Sequence, residues 1–149
     1  MPEFVALRPA RYRGARLRDL CADMHRFFRD ANVSALQKAQ FSPEHLPEMV
    51  MTPRAASRHL VRNNVDYLPI DKINGRIATT LFVVYPPEIA TIVAGERLCE
   101  RAWPMIEYLK TFERSANVFP GFEAEIQGLY REVDEKGVIR FYTYVVREE

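Results

Sequence analysis

The segment VVYPPEIATIVAGERL, residues 83–98, constrains the fold more than any other: Pro86 and Pro87 separate two β-branched apolar runs, and the second run closes on Gly95 and Glu96. Two consecutive prolines hold φ near about −65° and remove two amide donors, so a strand through Val84 cannot continue its ladder there. Tyr85, before the first proline, is pushed extended. A stiff corner between strands is either a plain crossover within one sheet or a device that holds a side chain still. Glu96, next to the turn-forming Gly95, reads as a helix-capping carboxylate, as a charge lining a channel or as a solvated surface acid, and the residues alone do not choose.

On either side of this corner the hydrophobic period identifies the elements. Leu17, Leu20, Cys21, Met24, Phe27 and Phe28 recur at three- and four-residue spacings, which predicts an amphipathic helix over 16–31. A shorter helix is expected through SALQKAQF with Ser34 as its N-cap. MTPRAASRHLVRNN predicts a third, capped by Thr52, opened by Pro53 and stopping near Asn63 and Asn64. From Val65 the pattern changes to strands, VDYLPI and then GRIATTLFVVY. A helix from about Arg101 to Asn117 is expected to turn Trp103, Ile106, Leu109 and Phe112 or Glu113 to one side, with Pro104 in its first turn. FPGF is a turn, and EIQGLYREV, DEKG and VIRFYTYVV close the chain as a hairpin. Helices, then strands, a helix and strands again predict an α+β fold, a single domain of several helices on a mixed or mostly antiparallel sheet.

Composition excludes more than it proposes. The 149 residues carry 21 Lys plus Arg against 20 Asp plus Glu, a net charge of +1, so no global field argues for nucleic acid or an anionic membrane. No apolar run is long enough to span a bilayer, and Met-Pro-Glu-Phe is not an export signal, which predicts a cytoplasmic protein. Cys21 and Cys99 have no metal-ligand spacing and are expected as buried free thiols in a reducing compartment. His25, His45 and His59 stand far apart in sequence, without partners at ligand spacing. No nucleophile elbow, Walker phosphate loop or zinc-protease motif occurs, and no metal site is expected.

INGRIATTLFVVYPPEIATIVAGE resembles the C-terminal domain of the bacterial fold-type I ornithine/lysine/arginine decarboxylases, whose pattern there runs G-R-I, an apolar strand, Y-P-P-G and P-G-E. The resemblance continues through RLRDLCADMH and EMVMTPRAA upstream and through FPGFEAEIQGLY and RFYTYVV downstream, so it covers essentially residues 1–149, with 1–15 as a lead-in from the preceding domain. It implies the last domain of a longer, homo-oligomeric enzyme that uses pyridoxal phosphate to remove the α-carboxylate of lysine, ornithine or arginine, in polyamine synthesis or acid resistance. It also implies that the cofactor is held by another domain of the same chain. The family's Ser-x-His-Lys context surrounds none of Lys38, Lys72, Lys110 and Lys136, so this piece alone is expected to carry no catalytic residue and no activity.

In that family the C-terminal domain lines the substrate access path and makes subunit contacts. The resemblance therefore makes Glu88, Glu96, Glu123 and Glu125 candidates for an acidic mouth that attracts a basic amino acid, with Tyr85, Pro86, Pro87 and Gly95 shaping the loop. Each acid also reads, more simply, as a surface or capping group. Glu88 stands where the family has glycine, and Ala90 and Ala94 where it has prolines, so the loop conformation is not transferable. A non-catalytic regulatory or assembly module with the same fold is the alternative. Apolar surface normally covered by the missing domain is expected to leave the isolated piece prone to association.

Overall fold

The computed structural model describes residues 6, 9–85 and 88–148, among which lie five α-helices and eight strands. In chain order they are α1 (Pro9–Tyr12), α2 (Leu17–Asp30), α3 (Val33–Ala39), β1 (Glu48–Met49), α4 (Pro53–Val61), β2 (Val65–Pro69), β3 (Phe82–Val84), β4 (Ala90–Ile92), β5 (Glu96–Arg97), α5 (Trp103–Val118), β6 (Ile126–Gln127), β7 (Tyr130–Val133) and β8 (Ile139–Val146). Every strand pair is antiparallel, in three small sheets ordered β1-β5, β2-β8-β7 and β4-β3-β6. The α+β expectation holds.

The helix starts follow local chemistry. Thr52 caps α4 through Oγ1, which accepts the Ala55 N–H at 3.3 Å, and Pro53 fills the first turn where no amide is needed. Ser34 does not cap α3: Asn32 holds that position in the left-handed region at φ 55°, which short polar side chains tolerate, and Ser34 lies inside the first turn. Helix α5 keeps most of the expected stripe, with Leu109 buried and Ile106 and Phe112 packed against the core, but not its first residue. Trp103 is 52% exposed, whereas Met105, Tyr108, Leu109 and Ala116 point into the core. A 3₁₀ turn at Glu100–Ala102 ahead of α5 shifts which residues enter the first turn.

The strands are shorter than the β-rich sequence suggests. Of GRIATTLFVVY, only Phe82–Val84 is ladder; Ile77 and Ala78 make isolated bridges to Arg97 and Val145, and the Thr79 hydroxyl donates to the Tyr144 carbonyl at 2.7 Å. This segment therefore stitches the sheets together instead of extending one. EIQGLYREV is likewise two strands in two different sheets, divided at Gly128. The main core packs α5 against these sheets through residues such as Phe82, Ile92, Leu98, Leu109, Phe141 and Val145. A smaller cluster of Tyr12, Leu20 and Phe119 seats α1 and α2 on the turn after α5, where the Tyr12 hydroxyl donates to the Pro120 carbonyl at 2.9 Å. Met24 and Phe27 pack against this cluster and Phe28 meets Phe112, but the start of the α2 stripe is open: Leu17 is 60% exposed and Cys21 is exposed, against the expected burial of that thiol, while Cys99 is half-buried and both are free. No helix among the described residues is long and apolar enough to cross a membrane.

Candidate functional site

The hairpin formed by β3 and β4 carries most of the candidate residues. β3 is the middle strand of its sheet and is buried throughout, pairing Val84 with Ile126 and Val83 with both Gln127 and Ala90. The Tyr85 N–H donates to the Glu125 carbonyl at 3.0 Å, which ties the start of the loop to the segment entering β6. Pro86 and Pro87 lie outside the described residues. Beyond them the Glu88 N–H returns to the Val84 carbonyl at 3.4 Å, with Glu88 at φ 66° and its side chain exposed. A glutamate thus occupies the left-handed conformation that a glycine adopts without steric penalty. Removing its Cβ relieves about 1–2 kcal/mol, partly offset by the entropy glycine loses on folding. Glu88→Gly is expected to stabilise the chain by about 0.5–1 kcal/mol in urea denaturation; a loss of stability would show that the side chain itself holds the loop.

Glu123 and Glu125 come together at this end of the hairpin. They line a hollow of about 310 Å³ with Ile126, Leu129, Arg131 and Phe141. Glu125 is exposed, and Glu123, more sheltered, accepts from the Arg131 guanidinium at 3.3 Å. One cation faces two carboxylates, so the hollow carries a residual negative charge that favours an approaching cation, an effect weakened by solvent screening.

Glu96 does not join them. It stands beyond the opposite end of the hairpin, past the Phe82–Ile92 pair, and its carboxylate accepts the Val93 N–H at 2.7 Å, capping the turn that Gly95 makes possible. Of the three roles open to it in the sequence, the helix cap is replaced by a related one: the carboxylate caps the turn between β4 and β5, where no helix begins. Burial pushes the Glu96 carboxyl above its ordinary value, and the Val93 N–H pulls it partly back. A carboxyl raised on folding holds its proton better folded than unfolded. Its contribution is therefore present at acid pH and is lost as pH rises from the ordinary carboxylate value through the folded one. Glu96→Gln keeps an acceptor for Val93 and removes the titration, so its thermal midpoint should gain on that of the parent over the window from acid to neutral pH. A constant difference across that window would contradict the desolvation.

Two further polar side chains tie α5 to β8, and neither was marked out by its sequence context. Glu113 and Asn117, one turn apart on α5, both face β8. Glu113 Oε2 accepts the Phe141 N–H at 2.6 Å, while Asn117 accepts from the Ile139 N–H at 2.8 Å and donates to the Ile139 carbonyl at 2.9 Å. They complete backbone bonds that a ladder would otherwise supply. Their spacing of four was visible, but nothing in it told a polar bracket from a solvated face. Among the described residues no three His, Cys, Asp or Glu side chains are grouped to hold a metal ion.

Residues 34–147 match the family described as Orn/Lys/Arg decarboxylase, C-terminal domain. The chain belongs to that family. This decarboxylase C-terminal domain is 38% identical over 138 residues to an ornithine decarboxylase of Haemophilus influenzae, covering 93% of the chain and 19% of that protein. It is 36% identical over 149 residues to the constitutive ornithine decarboxylase of Escherichia coli, covering 99% and 20%, so the helices before residue 34 align as well. The solved lysine decarboxylase A of Pseudomonas aeruginosa superposes with a TM-score of 0.81 at 34% identity, over 92% of this chain and 18% of that one. The chain therefore spans about a fifth of the length of the relatives it matches.

Proposed function

We propose that the chain serves as the C-terminal domain of a cytoplasmic, homo-oligomeric, pyridoxal-phosphate-dependent decarboxylase of lysine, ornithine or arginine, in polyamine synthesis or acid resistance. One observation carries this reading: a full-domain match to decarboxylases that are each about five times longer. The residues present do not fit the cofactor. Lys38, Lys72 and Lys136 are exposed, and Lys110 is half-buried at a hollow that it shares with Glu100 and Glu107, whose carboxylates would repel a phosphate. Pyridoxal phosphate, which supplies the electron sink for losing the α-carboxylate, is accordingly assigned to the remaining four-fifths of the enzyme. This domain contributes the wall of the access path. Glu88, Glu123 and Glu125 lie at one end of the β3–β4 hairpin and would draw in a substrate with a cationic side chain. Exposed Tyr85 and Ile89 supply apolar contact area for the cofactor domain and a neighbouring subunit.

The test is the size and activity of the native polypeptide. Mass spectrometry of the source cells should find these peptides in a chain of about five times this length, active on at least one of the three amino acids, while the 149-residue piece has neither turnover nor pyridoxal absorbance. Detection of a free 149-residue protein without activity would support the assembly-module reading, which the non-glycine Glu88 loop also fits. Turnover by the piece alone would overturn both.

A further inference from the structure

A second hollow, of about 140 Å³, lies between the end of α3, the middle of α5 and the β3–β4 hairpin, on none of the acids discussed above. Gln37, Gln40, Thr91 and Tyr108 supply its polar groups, and Phe41, Val84 and Ile89 its apolar wall. Gln40 is only 3% exposed, and its Oε1 has no hydrogen-bond partner. A buried carbonyl of this kind is disfavoured unless something donates to it. Tyr108 is 4% exposed, and its hydroxyl oxygen accepts the Gln37 amide at 3.0 Å, which leaves the phenolic proton to be given elsewhere. Burial also pushes the Tyr108 phenol up, so that proton is retained at neutral pH. Thr91 is already committed as a donor to the Phe82 carbonyl at 3.2 Å.

An acceptor and a donor, both nearly sealed from solvent, thus line one hollow without meeting each other. No charged side chain lines it among the described residues. An ammonium or carboxylate would enter without a counter-charge, which is strongly unfavourable, so the basic amino acids and diamines of the proposed reaction do not suit it. The space exceeds that of one water, about 30 Å³, and approaches the roughly 150 Å³ that accommodates a benzene-sized group. We propose that this hollow binds an uncharged carboxamide, whose N–H is donated to Gln40 and whose carbonyl receives the Tyr108 hydroxyl. A carboxamide offers both a donor and an acceptor, so it complements the Gln40 amide in either orientation. The proposal rests on these residues alone and stands or falls apart from the decarboxylase reading.

The experiment is a ¹H–¹⁵N NMR titration of the 149-residue chain with propionamide, against its charged counterparts propionate and propylammonium, and with N-acetylglutamine N-methylamide. Propionamide should move the backbone signals of Gln40, Phe41, Thr91 and Tyr108 saturably, with roughly millimolar affinity for so small a ligand. Both charged counterparts should bind at least about fivefold more weakly. Tighter binding of the capped glutamine than of propionamide would identify the source as a side chain of another polypeptide segment, since Phe41 and Ile89, both half exposed, would gain contact with its backbone. Equal or weaker binding would identify a free small amide. Gln40→Met and Tyr108→Phe should each weaken the amide by about fivefold. If a variant fails to fold, the comparison of neutral and charged ligands on the parent chain decides alone. Absence of saturable shifts with either amide, which would leave only water in the hollow, or equal binding of the charged compounds, would overturn the proposal.

Discussion

Alanine at Gly95 is expected to lower the unfolding free energy by roughly 3–5 kcal/mol, through the combined penalties of a left-handed backbone and an overpacked contact. Gly95 sits at φ 94°, and a Cβ built there falls 2.2 Å from the Met51 carbonyl oxygen. That obstacle is backbone and cannot swing away. The same residue is a junction: its carbonyl accepts from the Val50 and Met51 amides at 3.0 and 3.3 Å, and its N–H donates to the Ala78 carbonyl at 2.8 Å. Any shift that relieves the contact therefore strains the β1–β5 pair and the Ala78 segment together. Gly75 is the internal control, with φ 81° but open space around its Cβ position. Gly75→Ala should cost only the conformational part, about 1 kcal/mol. Urea denaturation of the two variants measures the difference, and equal losses would mean that the approach of Met51 is not what requires glycine at 95.

Signals contained within a few residues were readable in the sequence, and signals that depend on distant chain were not. Thr52-Pro53 works as cap and first turn because both groups act on amides two or three residues away. Ser34 carried the same kind of signal and failed, because the tight passage from α2 to α3 places Asn32 in the left-handed region and starts the helix two residues early. β-branched composition marked residues 75–85 as extended without revealing that only Phe82–Val84 form ladder, with two register partners on each side. That limit is set by β8 and β5, more than 60 and about 20 residues away respectively. Gly128 is the clearest missed sign. Its Cβ position lies 2.1 Å from the Leu81 carbonyl oxygen, so the glycine in EIQGLY marks the place where β6 leaves one sheet and β7 joins another. A glycine inside a strand pattern often means a close backbone approach, but the approaching chain lies 47 residues upstream. The acids follow the same division. Glu96 beside Gly95 was legible as an acceptor for nearby amides but was expected on a helix and instead closes a turn between strands, whereas the meeting of Glu123 with Glu125 and Arg131 depends on the turn after β6.

Truncating Phe82 to alanine should cost about 3–5 kcal/mol, the range for a large aromatic removed from a core that cannot collapse around the gap. Phe82 is fully buried at the start of β3, the strand that holds β4 and β6 together. Its carbonyl is bound by the Thr91 hydroxyl at 3.2 Å, and its ring edge lies 2.8 Å from where a Cβ on Gly128 would stand, so both neighbouring strands are fixed against it. Phe82→Leu fills most of the space and should lose no more than about 1.5 kcal/mol. The contrast bears on the candidate site, because β3 leads directly to Tyr85, whose N–H anchors the hairpin to Glu125. A cavity at Phe82 should therefore also shift the backbone signals of Tyr85 and Glu125 in the folded variant, while those of Lys136 and Gly137, at the distant tip of the β7–β8 hairpin, stay in place. If the alanine variant loses less than about 1.5 kcal/mol, or if Glu125 does not respond, then the acidic hollow takes its shape from the turn at Gly121 and not from the core beneath the hairpin.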